Sequence, residues 1–156
     1  MVKGSGLRRF GVGVAAVLMA VTGTVASAGS ASAATDLCVK MVTRYVGGNT
    51  IQVPASSANS QTCLIGSGLV ANYKIVVLFQ ATMVKCYGGL RMASPYDDEL
   101  IRDLDTDGSF GPRTQAALKA VQRSIGATVD GSYGPNTRDR MKFIDDRNRY
   151  CYAYRG

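Results

Sequence analysis

The spacing of hydrophobic positions changes several times along this chain. Residues 10–25 are almost wholly apolar or small and carry no charge. Over 39–46 apolar and polar residues alternate loosely, and Val39, Val42, Thr43, Tyr45 and Val46 favour a strand. Gly47-Gly48-Asn49 signals a turn, and Pro54 stops a returning strand over 50–53, so residues 38–54 read as a β-hairpin. A polar loop, 56–62, follows. Over 69–87 the period becomes helical: Val76, Phe79 and Met83 recur at spacings of three and four, and Gly88-Gly89 ends the run. Ser94-Pro95 followed by Asp97, Asp98 and Glu99 reads as a helix start, with Tyr96, Leu100 and Leu104 on one face. Pro112 opens another helix, aligning Thr114, Leu118, Val121 and Ile125 and stopping at Gly126. Pro135 opens the last, with Thr137, Met141 and Ile144 aligned. The pattern predicts a mostly helical domain with a hairpin at its front.

The opening apolar run has a different meaning. Lys3, Arg8 and Arg9 precede it, and Ala26-Ser27-Ala28 and Ala31-Ser32-Ala33 follow it as small-x-small cleavage patterns. Residues 1–33 therefore read as a secretory signal peptide, cut after Ala33 or Ala34. The competing reading, an uncleaved anchor helix, needs a longer apolar run. Arg8-Arg9 raises the twin-arginine route, but its flanking residues fit that pattern poorly, so the general export route is expected. Cleavage removes three basic residues and no acid, leaving fifteen basic residues against eleven acidic, a net charge of +4. The next apolar run, 75–79, is too short for a bilayer, so no membrane association is expected after cleavage.

Composition narrows the chemistry. The chain has no histidine, which excludes a Ser-His-Asp triad, a Cys-His dyad and a His-ligated catalytic zinc. Glu99 is the only glutamate, so a Glu/Glu glycosidase pair is excluded too. Asp103/Asp107 and Asp145/Asp146 remain as acid pairs, but adjacent acids on loops are usually solvated. No enzyme activity and no cofactor are expected. Cys38, Cys63, Cys86 and Cys151 lie beyond the signal segment, and an even count in an exported chain predicts two disulfides. Three connectivities exist. Cys38–Cys63 closes a local loop around the hairpin and Cys86–Cys151 ties the C-terminal tail to a helix end, and these are the favoured pairs. The cysteines have no Cys-x-x-Cys spacing, which argues against zinc.

One string occurs twice. Asp107-Gly-Ser-Phe-Gly-Pro-Arg-Thr114 returns as Asp130-Gly-Ser-Tyr-Gly-Pro-Asn-Thr137, offset by 23 residues and identical at six of eight positions. Asp-Gly makes a tight turn, Phe110 or Tyr133 turns a ring toward the core, and Pro112 or Pro135 starts a helix where its missing N–H costs nothing. At these residues the sequence resembles the bacterial peptidoglycan-binding-domain family, a small three-helix module. Val76-Val77-Leu78-Phe79-Gln80 fills the family's first element. Asp107 to Thr114 with Ala117-Leu118 and Val121-Gln122 fills the second, and Gly126, Asp130-Gly131, Gly134 and Thr137 the third. The resemblance covers roughly residues 68–144. It implies a mainly α fold, a three-helix peptidoglycan-binding-domain-like bundle with an N-terminal disulfide-tethered β-hairpin. The arrangement of Cys63, Cys86-Tyr87-Gly88 and a C-terminal cysteine looks like a secreted, stand-alone actinobacterial variant. The family passes from its first helix to Asp-Gly by a short loop, whereas nineteen positions separate Gly88 from Asp107 here. The expected organisation is thus signal peptide 1–33, hairpin extension 34–66, domain 67–144 with insert 89–105, and tail 145–156 tethered by Cys151.

The resemblance implies a non-catalytic, secreted or wall-associated protein whose partner is peptidoglycan or an associated anionic wall polymer. The alternative is a small disulfide-bonded interaction or inhibitor protein acting on another secreted protein. Tyr133 and Arg138 at the second turn are the first candidates for ligand contact, as a stacking ring and a carboxylate partner. Tyr87 and Arg113 are the others. Tyr133 also fits a purely core role. The Asp-rich run Asp103-Leu-Asp105-Thr-Asp107-Gly108 begins like a calcium loop, but Thr114 stands where a bidentate Glu is needed, and no metal is expected. Six acids fall between Asp97 and Asp107, while Arg138, Arg140, Lys142, Arg147, Arg149 and Arg155 make the tail basic. Mutual pairing or a patch for anionic polymers explains this, and +4 is thin support for nucleic acid. Tyr150, Tyr152 and Tyr154 alternate, as in a glycan-stacking surface or a short terminal strand packed on the hairpin.

Overall fold

The computed structural model describes residues 36–69 and 73–155, so the signal-peptide reading of 1–33 lies outside the described residues. Strands β1 (Lys40–Val46) and β2 (Asn49–Ala55) form the expected antiparallel hairpin, with Val42 opposite Val53 and Gly47-Gly48 as its turn, but Pro54 does not stop β2, which pairs on to Ala55 opposite Lys40. Helix α1 (Tyr73–Tyr87) buries Val76, Phe79 and Met83, the expected stripe, and Ile75 beside it. Helix α2 (Pro112–Ser124) starts at its proline as expected and buries Ala117, Leu118 and Val121. Both favoured disulfides form, Cys38–Cys63 and Cys86–Cys151.

The mainly α, three-helix-bundle expectation is overturned. Helix α3 (Pro135–Arg138) is a single turn. After it the chain straightens into strand β3 (Lys142–Ile144), which pairs with β4 (Cys151–Ala153). Met141, Phe143 and Ile144 are all buried. Tyr152 lies opposite Phe143 across that pair, and β2 packs against both strands. The described residues thus form a mixed fold, with two substantial helices and two small antiparallel sheets around one core.

The helix expected over 96–104 is also absent. Residues 90–101 double back instead. Arg91 bridges Leu100, the Ile101 amide donates to the Leu90 carbonyl at 2.8 Å, and the Met92 amide donates to the Glu99 carbonyl at 3.0 Å. The Arg91 guanidinium donates to the carbonyls of Asp97 and Asp98, satisfying groups a helix would have satisfied internally. Only Ile101–Asp103 is helical, as one 3₁₀ turn. This segment is no surface excursion, because Met92, Ala93, Ile101 and Leu104 are buried in the common core. Gly88 lets it approach: a Cβ there would lie 2.5 Å from the Val84 carbonyl oxygen and 3.2 Å from Arg102 Cβ. Ile101→Ala is therefore expected to cost about 3 kcal/mol through lost burial and a residual cavity. Denaturant titration checks this, and a loss below about 0.5 kcal/mol would return the segment to the surface.

Candidate functional site

The two Asp-Gly turns are built by the same side-chain device. In the first, Gln80 from α1 is fully buried and its Nε2 lies 2.9 Å from Asp107 Oδ1, 3.0 Å from the Ser109 carbonyl and 3.0 Å from Thr114 Oγ1. Its Oε1 accepts the Gly108 amide at 2.8 Å, while Asp107 Oδ1 accepts the Ser109 amide at 2.9 Å. In the second, Gln122 from α2 repeats each contact. Its Nε2 lies 2.8 Å from Asp130 Oδ1, 2.9 Å from the Ser132 carbonyl and 3.0 Å from Thr137 Oγ1, and its Oε1 accepts the Gly131 amide at 2.8 Å. Gly108 and Gly131 both have φ near +75°, where a side chain is strained. The Gln80 amide and the Ser109 backbone hold the Asp107 carboxyl below the usual carboxylate range. The family pattern sets Gln80 in its first element and Gln122 in its second, outside the repeated octets, and assigns them no role. The signal was there, in a glutamine following an apolar residue (Phe79, Val121) on a face that is otherwise core.

The four candidate contact residues fall in different surroundings. Tyr133 is fully buried, which corrects its reading as a surface ring and fits its core alternative. Its ring meets Phe79 edge-on with centroids 5.0 Å apart and Phe143 at 6.3 Å. Its backbone pairs with Ile65 in both directions, at 2.7 and 3.0 Å, so the N-terminal extension lies across the second turn. The hydroxyl is enclosed with no hydrogen-bond partner among the described residues, and burial pushes its pKa well up. Tyr87 is also core: its hydroxyl accepts the Lys142 amide at 2.6 Å, joining the end of α1 to β3.

Arg138 is only 13% exposed along its side chain and is already engaged. It donates to Asp139 at 2.7 and 2.8 Å and to the Gln61 carbonyl at 2.8 Å, and lies 4.8 Å from the Tyr154 ring centroid. Arg44 of β1 lies over the same ring at 4.2 Å, and the Tyr154 hydroxyl donates to Gln61 Oε1 at 2.7 Å. Arg138 thus helps lock the tail to the extension. Burial pushes the Asp139 pKa up, but Arg138 and Arg155 outweigh it and leave the carboxyl below its ordinary range.

Arg113 is the candidate that reaches an open surface. It pairs with Glu99 and, at 3.2 Å, with Asp105, while keeping 39% of its side chain exposed. It borders a groove of about 220 Å³ with Tyr96, Leu104, Asp105, Ser109 and Thr114. The groove combines a ring, a guanidinium, a carboxylate and hydroxyls, a mixed set of stacking and hydrogen-bonding groups suited to a sugar or a peptide stem. Among the described residues no group of three or more Cys, Asp or Glu side chains is placed to hold a metal ion. No helix among them is long and apolar enough to cross a membrane.

No curated protein and no solved structure matches this chain. Residues 96–141, which contain both Asp-Gly turns, the groove and the Gln122 network, match the model of the family described as "Putative peptidoglycan binding domain".

Proposed function

We propose that this protein is exported and binds peptidoglycan without cleaving it. The family match over 96–141 carries this reading, because it spans two turns of one design joined by α2. Export is supported by the basic-then-apolar leader and by two disulfides, which persist in oxidising compartments. The chain's chemistry supports binding without cleavage: it has no histidine and a single glutamate, Glu99, held by Arg113. Tyr133, Tyr87 and Arg138 serve the fold. We assign ligand contact to the Arg113 groove, where Tyr96 supplies a ring and Arg113 a carboxylate partner.

Purified cell-wall sacculi test this directly. The protein is expected to co-sediment with sacculi before and after removal of wall teichoic acids, without releasing soluble muropeptides. Arg113→Gln is expected to weaken sedimentation at least fivefold while the fold persists. Failure of the wild type to sediment with either preparation would sink the reading.

A further inference from the structure

A second cleft lies outside the matched segment, where the hairpin turn meets the β3–β4 turn. It encloses about 350 Å³ and is bordered by Asn49 and Thr50 on one side and by Arg147, Arg149, Tyr150 and Tyr152, with the carboxylates Asp145 and Asp146, on the other. We propose that this cleft binds a sugar bearing a carboxylate or a phosphate.

The arginine-bearing wall of the cleft is held in place by its own turn. Asp145 Oδ1 accepts the amides of Arg149 at 2.6 Å and Tyr150 at 3.2 Å. Its own amide donates to the Tyr150 carbonyl at 2.9 Å. The next residue, Cys151, is fixed to α1 through Cys86. The turn's shape is therefore set before any ligand arrives, which lowers the ordering cost of binding. Elsewhere in the basic tail the guanidiniums have partners: Arg138 and Arg155 on Asp139, Arg140 on the Asn136 carbonyl. The Arg147 and Arg149 side chains are exposed and make no ion pair or hydrogen bond among the described residues. Of the two carboxylates beside them, Asp145 spends an oxygen on the turn's backbone, and Asp146 is exposed to solvent at the cleft's edge.

Beside this charge Tyr150 is 60% exposed, and its ring centroid lies 6.5 Å from that of Tyr152 at an interplanar angle of 55°. A sugar face stacks on an open ring, and two unpaired guanidiniums supply the fork geometry that carboxylate and phosphate oxygens accept. Asn49 and Thr50 add hydroxyl and amide groups across the cleft for the sugar's own hydroxyls. This site is independent of the Arg113 groove.

The test is an amide-resolved NMR titration of the intact, disulfide-bonded protein with three probes: N-acetylmuramic acid, N-acetylglucosamine 6-phosphate and neutral N-acetylglucosamine. Shifts are expected at residues 49–50 and 147–152, with at least one acidic sugar binding tenfold more tightly than the neutral one. The tighter acidic probe identifies the anion as carboxylate or phosphate. The double variant R147Q/R149Q should reduce the acidic sugars to the neutral level, and Tyr150→Ala should weaken all three. All three side chains are exposed, so unchanged melting temperatures are expected. Equal binding of neutral and acidic sugars, or unaltered affinity in R147Q/R149Q, overturns the proposal. Shifts confined to residues around Arg113 also overturn it while leaving the peptidoglycan reading intact.

Discussion

Gln122→Leu is expected to lower the unfolding free energy by on the order of 4 kcal/mol, a large part of what a small domain has. Leucine fits the space, so packing is nearly conserved, and the loss is polar. The Gly131 amide, the Ser132 carbonyl, the Asp130 carboxylate and the Thr137 hydroxyl each lose a partner at once, and Gly131 and Thr137 are buried. Buried groups left unpaired cost more than the same bonds contribute when made. Gln122→Glu separates this from a size effect. It keeps an acceptor for Gly131 but sets a second carboxylate against Asp130. The new carboxyl then binds its proton more tightly folded than unfolded, so this variant gains stability relative to wild type as pH falls. Denaturant midpoints at neutral and acid pH check both. A leucine variant within about 1 kcal/mol of wild type would show that the amide merely fills space.

Replacing Cys86 and Cys151 together by serine is expected to cost about 4 kcal/mol, since the bridge closes a loop 65 residues in sequence separation. Removing Cys38–Cys63, with a separation of 25, should cost about 3.5 kcal/mol on the same chain-entropy argument. Access ranks the two bridges differently from loop length. Cys38 and Cys63 are fully buried, whereas Cys86 and Cys151 are partly exposed. Mild reductant should therefore open Cys86–Cys151 first, with thiol labelling at these two residues preceding global unfolding. Labelling of Cys38 or Cys63 first would contradict the ranking.

Local signals in the sequence were sufficient where one element settles its own form. The hairpin follows from β-forming residues around Gly47-Gly48, the start of α2 from Pro112, and the paired turns from the repeated octet. Distant partners decided the rest. An acid-rich stretch after Ser94-Pro95 has a helix start's composition, yet Arg91 takes the Asp97 and Asp98 carbonyls and the backbone pairs with itself. Met141 and Ile144 suit helical spacing, yet a strand ten residues further on pairs with β3. Of the candidate contacts, Arg113 lies at an open groove because α2 faces solvent there. Tyr133 does not, because residues 64–66 of the extension lie across its turn, and no local pattern announces that contact.

The twin glutamines also bear on the order in which the fold closes. Gln122 meets Asp130 across 8 residues, whereas Gln80 meets Asp107 across 27. By loop-length scaling the first-copy contact carries an extra closure cost of about 1 kcal/mol for the same set of bonds. The second unit can therefore assemble from neighbouring chain while the first waits for residues 88–106 to settle against the core. That intervening segment sets how late α1 joins the rest, so its length tunes folding rate with little effect on the finished turns.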